Sequence, residues 1–456
     1  LPLANVQAFS IDDSHTTEID DALSVQGLGS GEVVVGIHIA APGLAVTPDS
    51  AVDQIGRQRL STVYMPGHKI TMLPSDLVQT YTLEGGRDCP AVSLYVRIEE
   101  ASLRVLSSET RLERVPIVAN LRHDRLDTVV TEAWLAAELP DTRIPDDHPE
   151  SGIDALPHAE LAFLHRLAQS LKSQREQVRG KPETFSRPDY TFRLEGVGDE
   201  GPSGQEAVVL GVRQRGAPLD LIVAEAMILA NSTWGQWMAE LGVPAIYRSQ
   251  VSLAPGMKVR MSTRALPHAG IGVPCYAWST SPLRRYVDLV NQWQIIACAR
   301  HGKTAALAAP FKPKDAELFS IISAFDAAYS GYNAVQSGME RYWTLRHVQQ
   351  QGIDELEASL VKEMGGGAWL VRADTLPLMF SVMGAQGLMR GARVRVKLGA
   401  VDLMALDVGG TVVAHLDAPL AAEGQEVDEA EEDEAMAAGP LTIAVDLNDS
   451  TQSDGA

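Results

Sequence analysis

Asp12, Glu18, Asp20 and Asp21 fall within ten residues of one another, with Asp13 beside the first. Clustered like charges repel strongly where water is scarce, so a folded protein keeps them close when a cation compensates. Hard divalent ions such as Mg²⁺ take oxygen ligands, retain several waters and share their shell with a substrate phosphate. Residue type and spacing therefore suggest a metal site for phosphoryl chemistry. Taken without its flanks, the segment reads equally as a solvated acidic loop.

The flanks decide between these. Phe9 and Ile11 alternate with polar residues as in a half-buried strand, and Ala22-Leu23-Ser24-Val25 resumes an apolar run. Gly27, Gly29 and Gly31 then form a turn before Val33–Ala40, a β-branched, nearly continuous run that reads as a core strand. The carboxylates thus sit on a loop joined to buried strands, where they can converge. An EF-hand is excluded. With Asp12 as loop position one, the sixth position is Thr17 rather than Gly, and the twelfth is Leu23 rather than Glu.

The elements that must hold such a loop are spread over 456 residues, enough for a large core and two or three domains. Hydrophobic content of 45% and charged content of 21% are ordinary for a soluble globular chain, and no apolar stretch is long enough for a membrane span. The start, Leu1-Pro2-Leu3, has neither an initiator Met nor a signal-peptide pattern and reads as the beginning of a fragment or processed chain. Cys89, Cys275 and Cys298 give neither a disulfide framework nor a zinc pattern, so a reducing cytoplasm and a role as small buried hydrophobes are expected. The net charge of −21 is partly local: residues 417–456 carry 12 acidic groups and no Lys or Arg, leaving −9 for the rest. That balance still permits RNA binding if basic residues line one channel.

Residues 1–130 are strand-rich, with strands expected at 33–40, 91–98 and 102–106. A Pro- and Asp-rich loop at 138–157 precedes helices expected at 158–178, 219–242, 283–301 and 315–351. Mixed strands and helices without a βαβ repeat indicate an α+β fold, with a large mixed α/β domain over residues 1–352. From 353 to 419 five short strands, 356–362, 369–373, 377–382, 392–398 and 403–408, fit a small five-stranded OB-fold barrel. Arg393, Arg395 and Lys397 share one face there, either an RNA-backbone surface or a solvated face. Residues 420–456 read as an acidic, disordered tail.

Asp12–Ala22, read with Ser281-Pro282-Leu283-Arg284-Arg285-Tyr286-Val287-Asp288, resembles the ribonuclease II family of 3′-to-5′ exoribonucleases. The resemblance extends through Tyr64-Met65-Pro66-Gly67, Met72-Leu73-Pro74, Arg187-Pro188-Asp189-Tyr190 and Ala224–Asn231, in the family's order, over residues 1 to about 350. It implies a catalytic domain followed by an RNA-binding OB-fold, with further RNA-binding domains upstream of the catalytic one.

By position, Asp12, Glu18, Asp20 and Asp21 match the family's four catalytic acids, with Mg²⁺ (or Mn²⁺) as cofactor. Glu18 departs from the family pattern, which has Asp there. Asp20 is the group whose loss should abolish cleavage with least loss of binding. Arg284 matches the active-site arginine, whose guanidinium can bridge two phosphate oxygens and keeps its charge; Arg285 is placed with the RNA-binding residues. Tyr64 matches a stacking tyrosine and Phe185 lies near its partner aromatic, stacking being suited to recognising any terminal base. His123 replaces an aromatic that contacts RNA further in, His38 reads as structural, and Glu340 is a further candidate carboxylate. The expected protein is a processive, metal-dependent exoribonuclease releasing nucleoside 5′-monophosphates from single-stranded RNA, monomeric and cytoplasmic. A catalytically degenerate RNA-binding homologue and a phosphodiesterase for a small substrate are the competing readings.

Overall fold

A computed structural model describes residues 1–144, 155–183, 189–198, 201–213, 216–254 and 257–416. Phe185 and the acidic tail lie outside these. Strands β1 (Ala8–Asp12), β2 (Asp21–Gln26) and β3 (Glu32–Ala40) are followed by helix α1 (Ala51–Arg59) and the hairpin β4 (Val63–Met65) and β5 (His68–Ile70). Helix α2 (Ser75–Tyr81) then leads into two long strands, β6 (Arg87–Glu99) and β7 (Arg104–Arg122). The order β1-β2-β3-β6-β7 closes into a barrel, with β1 parallel to β7 at the seam.

The near-continuous apolar run of β3 follows from burial on both faces. Val33, Val35, Ile37 and Ile39 join one core cluster, and Ala40 on the other side joins a second with Ala22, Ala91 and Ile117. His38 is the polar exception. Its ring nitrogens bond Ser24 Oγ and Ser93 Oγ at 2.8 Å each, and burial lowers its pKa to about 3, so it is a neutral bridge in the wall.

Helices cover this barrel. Two short ones, α3 (His123–Leu126) and α4 (Glu132–Ala136), precede α5 (His158–Arg179); the hairpin β8 (Asp189–Glu195) and β9 (Ala207–Arg213) precedes α6 (Pro218–Glu240). Pro218 opens α6, where the missing N–H costs nothing. A small sheet of β10 (Tyr247–Ser249), β11 (Arg260–Ser262) and β12 (Tyr276–Ala277) leads to α7 (Tyr286–His301), then α8 (Ala305–Ala308) and α9 (Ala316–Gln351).

Helix α7 is buried around its circumference from Tyr286 to Cys298. Its interior polar residues therefore serve as brackets for neighbouring backbone. Asn291 accepts from Ile246 N–H (2.8 Å) and donates to the carbonyls of Ile246 (2.9 Å) and Trp278 (2.7 Å). Gln292 accepts from Gly43 N–H and donates to Ala40 O, tying α7 to the end of β3. The three cysteines are buried and free, as their spacing implied.

The second barrel, β13 (Glu355–Gly365), β14 (Ala368–Ala373), β15 (Met379–Met383), β16 (Arg393–Leu398) and β17 (Gly409–Leu416), is the small five-stranded OB-type barrel expected, in the order β13-β14-β15-β17-β16. The last strand is displaced from the expected 403–408. Asp402 accepts from Met404 and Ala405 N–H, and Leu406 takes a positive φ of 53°, so this stretch turns instead of extending. Gly410, a strand breaker by type, lies inside β17 because a Cβ there would come within 2.5 Å of Val396. Outward-facing Arg393 pairs with Asp374 and Glu357, and Arg395 with Glu357, the arrangement of a self-compensated surface.

Asn291→Ala would strand three buried backbone groups and is expected to cost about 2–4 kcal/mol. Urea unfolding, read as a lower midpoint at unchanged slope, checks this.

Candidate active site

The barrel seam supports the acidic segment. Asp12 ends β1, where it pairs with Arg122 at the end of β7, and Asp21 begins β2. Between them the chain is pinned from the side: Ile19 N–H donates to Thr82 Oγ1 (2.8 Å), and Leu83 N–H donates to Ile19 O (3.0 Å). Ala40 N–H donates to Asp20 O (2.8 Å), fixing Asp20 against the end of β3.

Asp20 is held on both oxygens by the distant Ser281–Asp288 turn. Leu283 N–H donates to Oδ1 at 2.9 Å and Arg284 Nε to Oδ2 at 3.1 Å. The turn is tightly determined in its own right. Asp288 in the first turn of α7 accepts from Ser281 N–H (2.9 Å), and Arg284 bonds Ser281 Oγ (2.9 Å). Asn231 of α6 accepts from Ser279 N–H and donates to Thr280 Oγ1, so the Ala224–Asn231 motif supports the strand leading into the turn. The first helical residue is Tyr286, so the N–H facing an anion is that of Leu283, in the turn ahead of the helix, and the anion is Asp20.

Arg285, expected among the RNA-binding residues, is buried. Its guanidinium lies 4.2 Å over the Trp278 ring and bonds Asp288 at 2.8 Å, with Arg248 also 4.2 Å from Trp278. Its adjacency to Arg284 in sequence concealed that opposite commitment, because residues on either side of a tight turn face different environments.

Electrostatically the carboxylates are strained. Burial pushes Asp12 up to about 6, partly offset by Ser10, Arg122 and Arg284. Burial likewise raises Asp20 to about 7 in spite of Arg284. Asp21 is raised well above the usual range by burial and then by Asp12 and Asp20. Asp12 Oδ2 is buried and receives no hydrogen bond from any described residue. An unsatisfied buried carboxylate oxygen among mutually repelling acids is the donor set a hard divalent cation suits. Glu18 differs: its two oxygens accept from Thr62, Tyr64 and Lys69.

A cavity of about 670 Å³ adjoins this segment, walled by Asp13, Glu18, Tyr64, Lys69, Tyr190 and Phe192 among others. Tyr64, expected to stack, thus lines this cavity. Phe185 lies outside the described residues; the described aromatic rings sharing the cavity with Tyr64 are Tyr190 and Phe192 of β8, whose alternate spacing on one strand was the available signal. Glu340 of α9 lines the same cavity. His123 groups with Asp13 and Asp124, ligand atoms within 4.8 Å of one another, and Asp124 also accepts from Ser14 N–H (2.9 Å).

These raised values carry a sign. A carboxyl whose folded pKa exceeds its unfolded value stabilises the fold below the unfolded pKa, and that contribution is lost as pH rises through the folded one. The window here runs from the usual 3.8 up to about 6 for Asp12 and about 7 for Asp20. In EDTA, melting temperature should fall as pH rises across that window, by on the order of a few kcal/mol of stability. Mg²⁺ should restore more stability above the window than below it, and Asp20→Asn should flatten the profile; calorimetry at several pH values checks both.

Comparison with known proteins accords with this geometry. The RNB domain family profile matches residues 2–256 and 252–301. The chain is 26% identical over 377 residues to Ribonuclease II, chloroplastic/mitochondrial, of Arabidopsis thaliana, covering 77% of this chain and 42% of that protein. It is 28% identical over 337 residues to Exoribonuclease 2 of Edwardsiella piscicida, covering 62% and 48%. The chain thus spans about half the length of the curated relatives it matches. In fold it is similar to the Dss1 exoribonuclease of Candida glabrata (TM-score 0.75, 19% identity, 91% of this chain and 55% of that one). It is similar also to Mycoplasma genitalium RNase R in complex with ribose-methylated single-stranded RNA (TM-score 0.70, 15% identity, 90% and 72%). Yeast Ssd1, a pseudonuclease, shares the fold at a TM-score of 0.59 and 15% identity, over 87% and 52%. No helix among the described residues is long and apolar enough to cross a membrane. With two thirds of its length matched by the profile, the chain belongs to the RNB domain family.

Proposed function

We propose that this protein is a metal-dependent 3′-to-5′ exoribonuclease that hydrolyses single-stranded RNA processively to nucleoside 5′-monophosphates. Chief support comes from the join between Asp20 and the Leu283–Arg284 turn, which sets a charged guanidinium beside the buried Asp12 and Asp20 and the half-buried Asp21. Asp12, Asp20 and Asp21 would hold Mg²⁺, with Mn²⁺ as a substitute. Bound there, the ion would supply an activated water and shield phosphate charge.

The chain's own residues do the rest. Leu283 N–H and Arg284 orient Asp20, so its carboxylate enters the reaction already aligned. Arg284 keeps its charge: burial opposes it, but Tyr64, Asp20, Asp288 and Glu18 raise its pKa above the ordinary arginine value. A guanidinium so held can donate to the scissile phosphate and stabilise charge developing there. Tyr64 offers a ring to the base at the 3′ end, with Tyr190 and Phe192 lining the same cavity.

A second reading, an RNA-binding homologue without cleavage, is favoured by one observation. Glu18 is engaged with Lys69 in an ion pair of 2.8 Å and so offers a cation less than an aspartate cluster would.

Incubation of 5′- and 3′-labelled single-stranded RNA with Mg²⁺ or EDTA separates the two. Mononucleotide release from the 3′ end, lost in EDTA, is expected for the enzyme. Asp20→Asn should lower the rate by about 10²–10³ while leaving RNA affinity within a few-fold. RNA bound but uncut by the unaltered chain would leave the second reading, and internal cleavage ladders would remove the exonuclease assignment.

A further inference from the structure

Glu18 stands inside the acidic segment, yet its carboxylate faces a different task. Oε1 accepts from Thr62 Oγ1 at 3.0 Å, and Oε2 accepts from the Tyr64 hydroxyl at 3.2 Å and the Lys69 ammonium at 2.8 Å. Tyr64 and Lys69 oppose each other across the β4–β5 hairpin, so a single oxygen binds both of its strands. Lys69 also donates to Thr17 Oγ1. The Glu18 side chain is 1% exposed and that of Lys69 28%, so the pair is shielded on one side only.

The anchor is stiff. Thr82 Oγ1 receives Ile19 N–H (2.8 Å) and donates to Thr17 O (3.0 Å), gripping the chain on both sides of Glu18. At the base of the hairpin, Thr62 Oγ1 receives Met72 N–H and Thr62 N–H donates to Arg284 O (2.9 Å). One short chain of bonds thus runs from Arg284 through Thr62 and Glu18 to the Tyr64 hydroxyl.

We infer that Glu18 is a positioning residue: it orients the Tyr64 ring against the cavity for stacking on an RNA base, and it is not a ligand of the metal. This rests on the nuclease reading for the identity of the stacked group. Glu18 takes three donors, with Tyr64 and the cationic Lys69 crowded onto Oε2, whereas the oxygens of Asp20 are bonded to one donor each, Leu283 N–H and Arg284 Nε. Asp12 keeps its Oδ2 unbonded by any described residue.

The test uses the full chain with Glu18→Gln, Tyr64→Phe and both together. In EDTA, so that RNA is not consumed, anisotropy of a 5′-fluorescein oligoribonucleotide reads affinity. Each single variant should weaken binding by about three- to tenfold, and the double no more than the weaker single. Mn²⁺ affinity, read by electron paramagnetic resonance, should stay within about twofold of the unaltered chain, as expected when no ligand is lost. In turnover, KM should rise with kcat nearly unchanged. Loss of Mn²⁺ binding in Glu18→Gln, unchanged RNA affinity in both singles, or additive losses in the double would each overturn the assignment. Tyr64→Phe removes only a hydroxyl, so it decides the matter if Glu18→Gln fails to fold. Intact binding effects with no cleavage by the unaltered chain would overturn the nuclease reading and leave this one standing.

Discussion

The two-point grip on Asp20 is the contact on which the site depends. Its partners, Leu283 and Arg284, are 263 and 264 residues away in sequence. Neither end is free to drift: the main chain of Asp20 is pinned by Ala40 N–H at the barrel rim, and the turn by Asp288, Asn231 and its own serine. A hydrogen bond to a charged group is among the stronger contacts a fold can make, and two on one carboxylate fix its plane as well as its place.

That grip explains why so much polar chemistry is buried nearby. Helix α7 is enclosed by protein, yet it carries Asp288, Asn291, Gln292 and Gln294. Asp288, Asn291, Gln292 and Gln294 all accept from backbone N–H groups, and the three amides also donate to carbonyls. Apart from Asp288 Oδ2, which receives no hydrogen bond from any described residue, these side chains are engaged by their neighbours, are costly to replace and specify a single arrangement around them. Trp278, with the Arg248 and Arg285 guanidinium groups each 4.2 Å from its ring, adds cation–π contacts near the same turn. Rigid support of this kind is what a site needs when its acids are held against their own repulsion.

Much of this was legible in the sequence where residue type and role coincide. Asp12, Asp20 and Asp21 could be read as converging carboxylates from the apolar strands on either side of their loop, whereas Arg284 was marked out by the family motif around it. The four long helices and the second barrel followed from periodicity. The first barrel did not: a strand was expected only at 102–106, and the polar, exposed residues that follow hid its continuation to Arg122. The last strand of the second barrel was misplaced because Gly409 and Gly410 resemble a turn, and only the crowding by Val396 reveals why glycine belongs there. Glu18 and Arg285 share a different obscurity. Each lies in the right motif, and only its long-range partners, Lys69 and Tyr64 for one and Trp278 for the other, disclose its use.

The parallel seam between β1 and β7 has a temporal meaning. Asp12 reaches its place only when Arg122 arrives beside it, and Asp20 only when residue 284 does. Contacts of such high sequence separation form late, after the intervening loops have been closed. A chain emerging from the ribosome therefore presents its acids well before the arginine that aligns them has been made. The alignment of Asp20 is thus a property of the closed fold and not of the acidic segment alone.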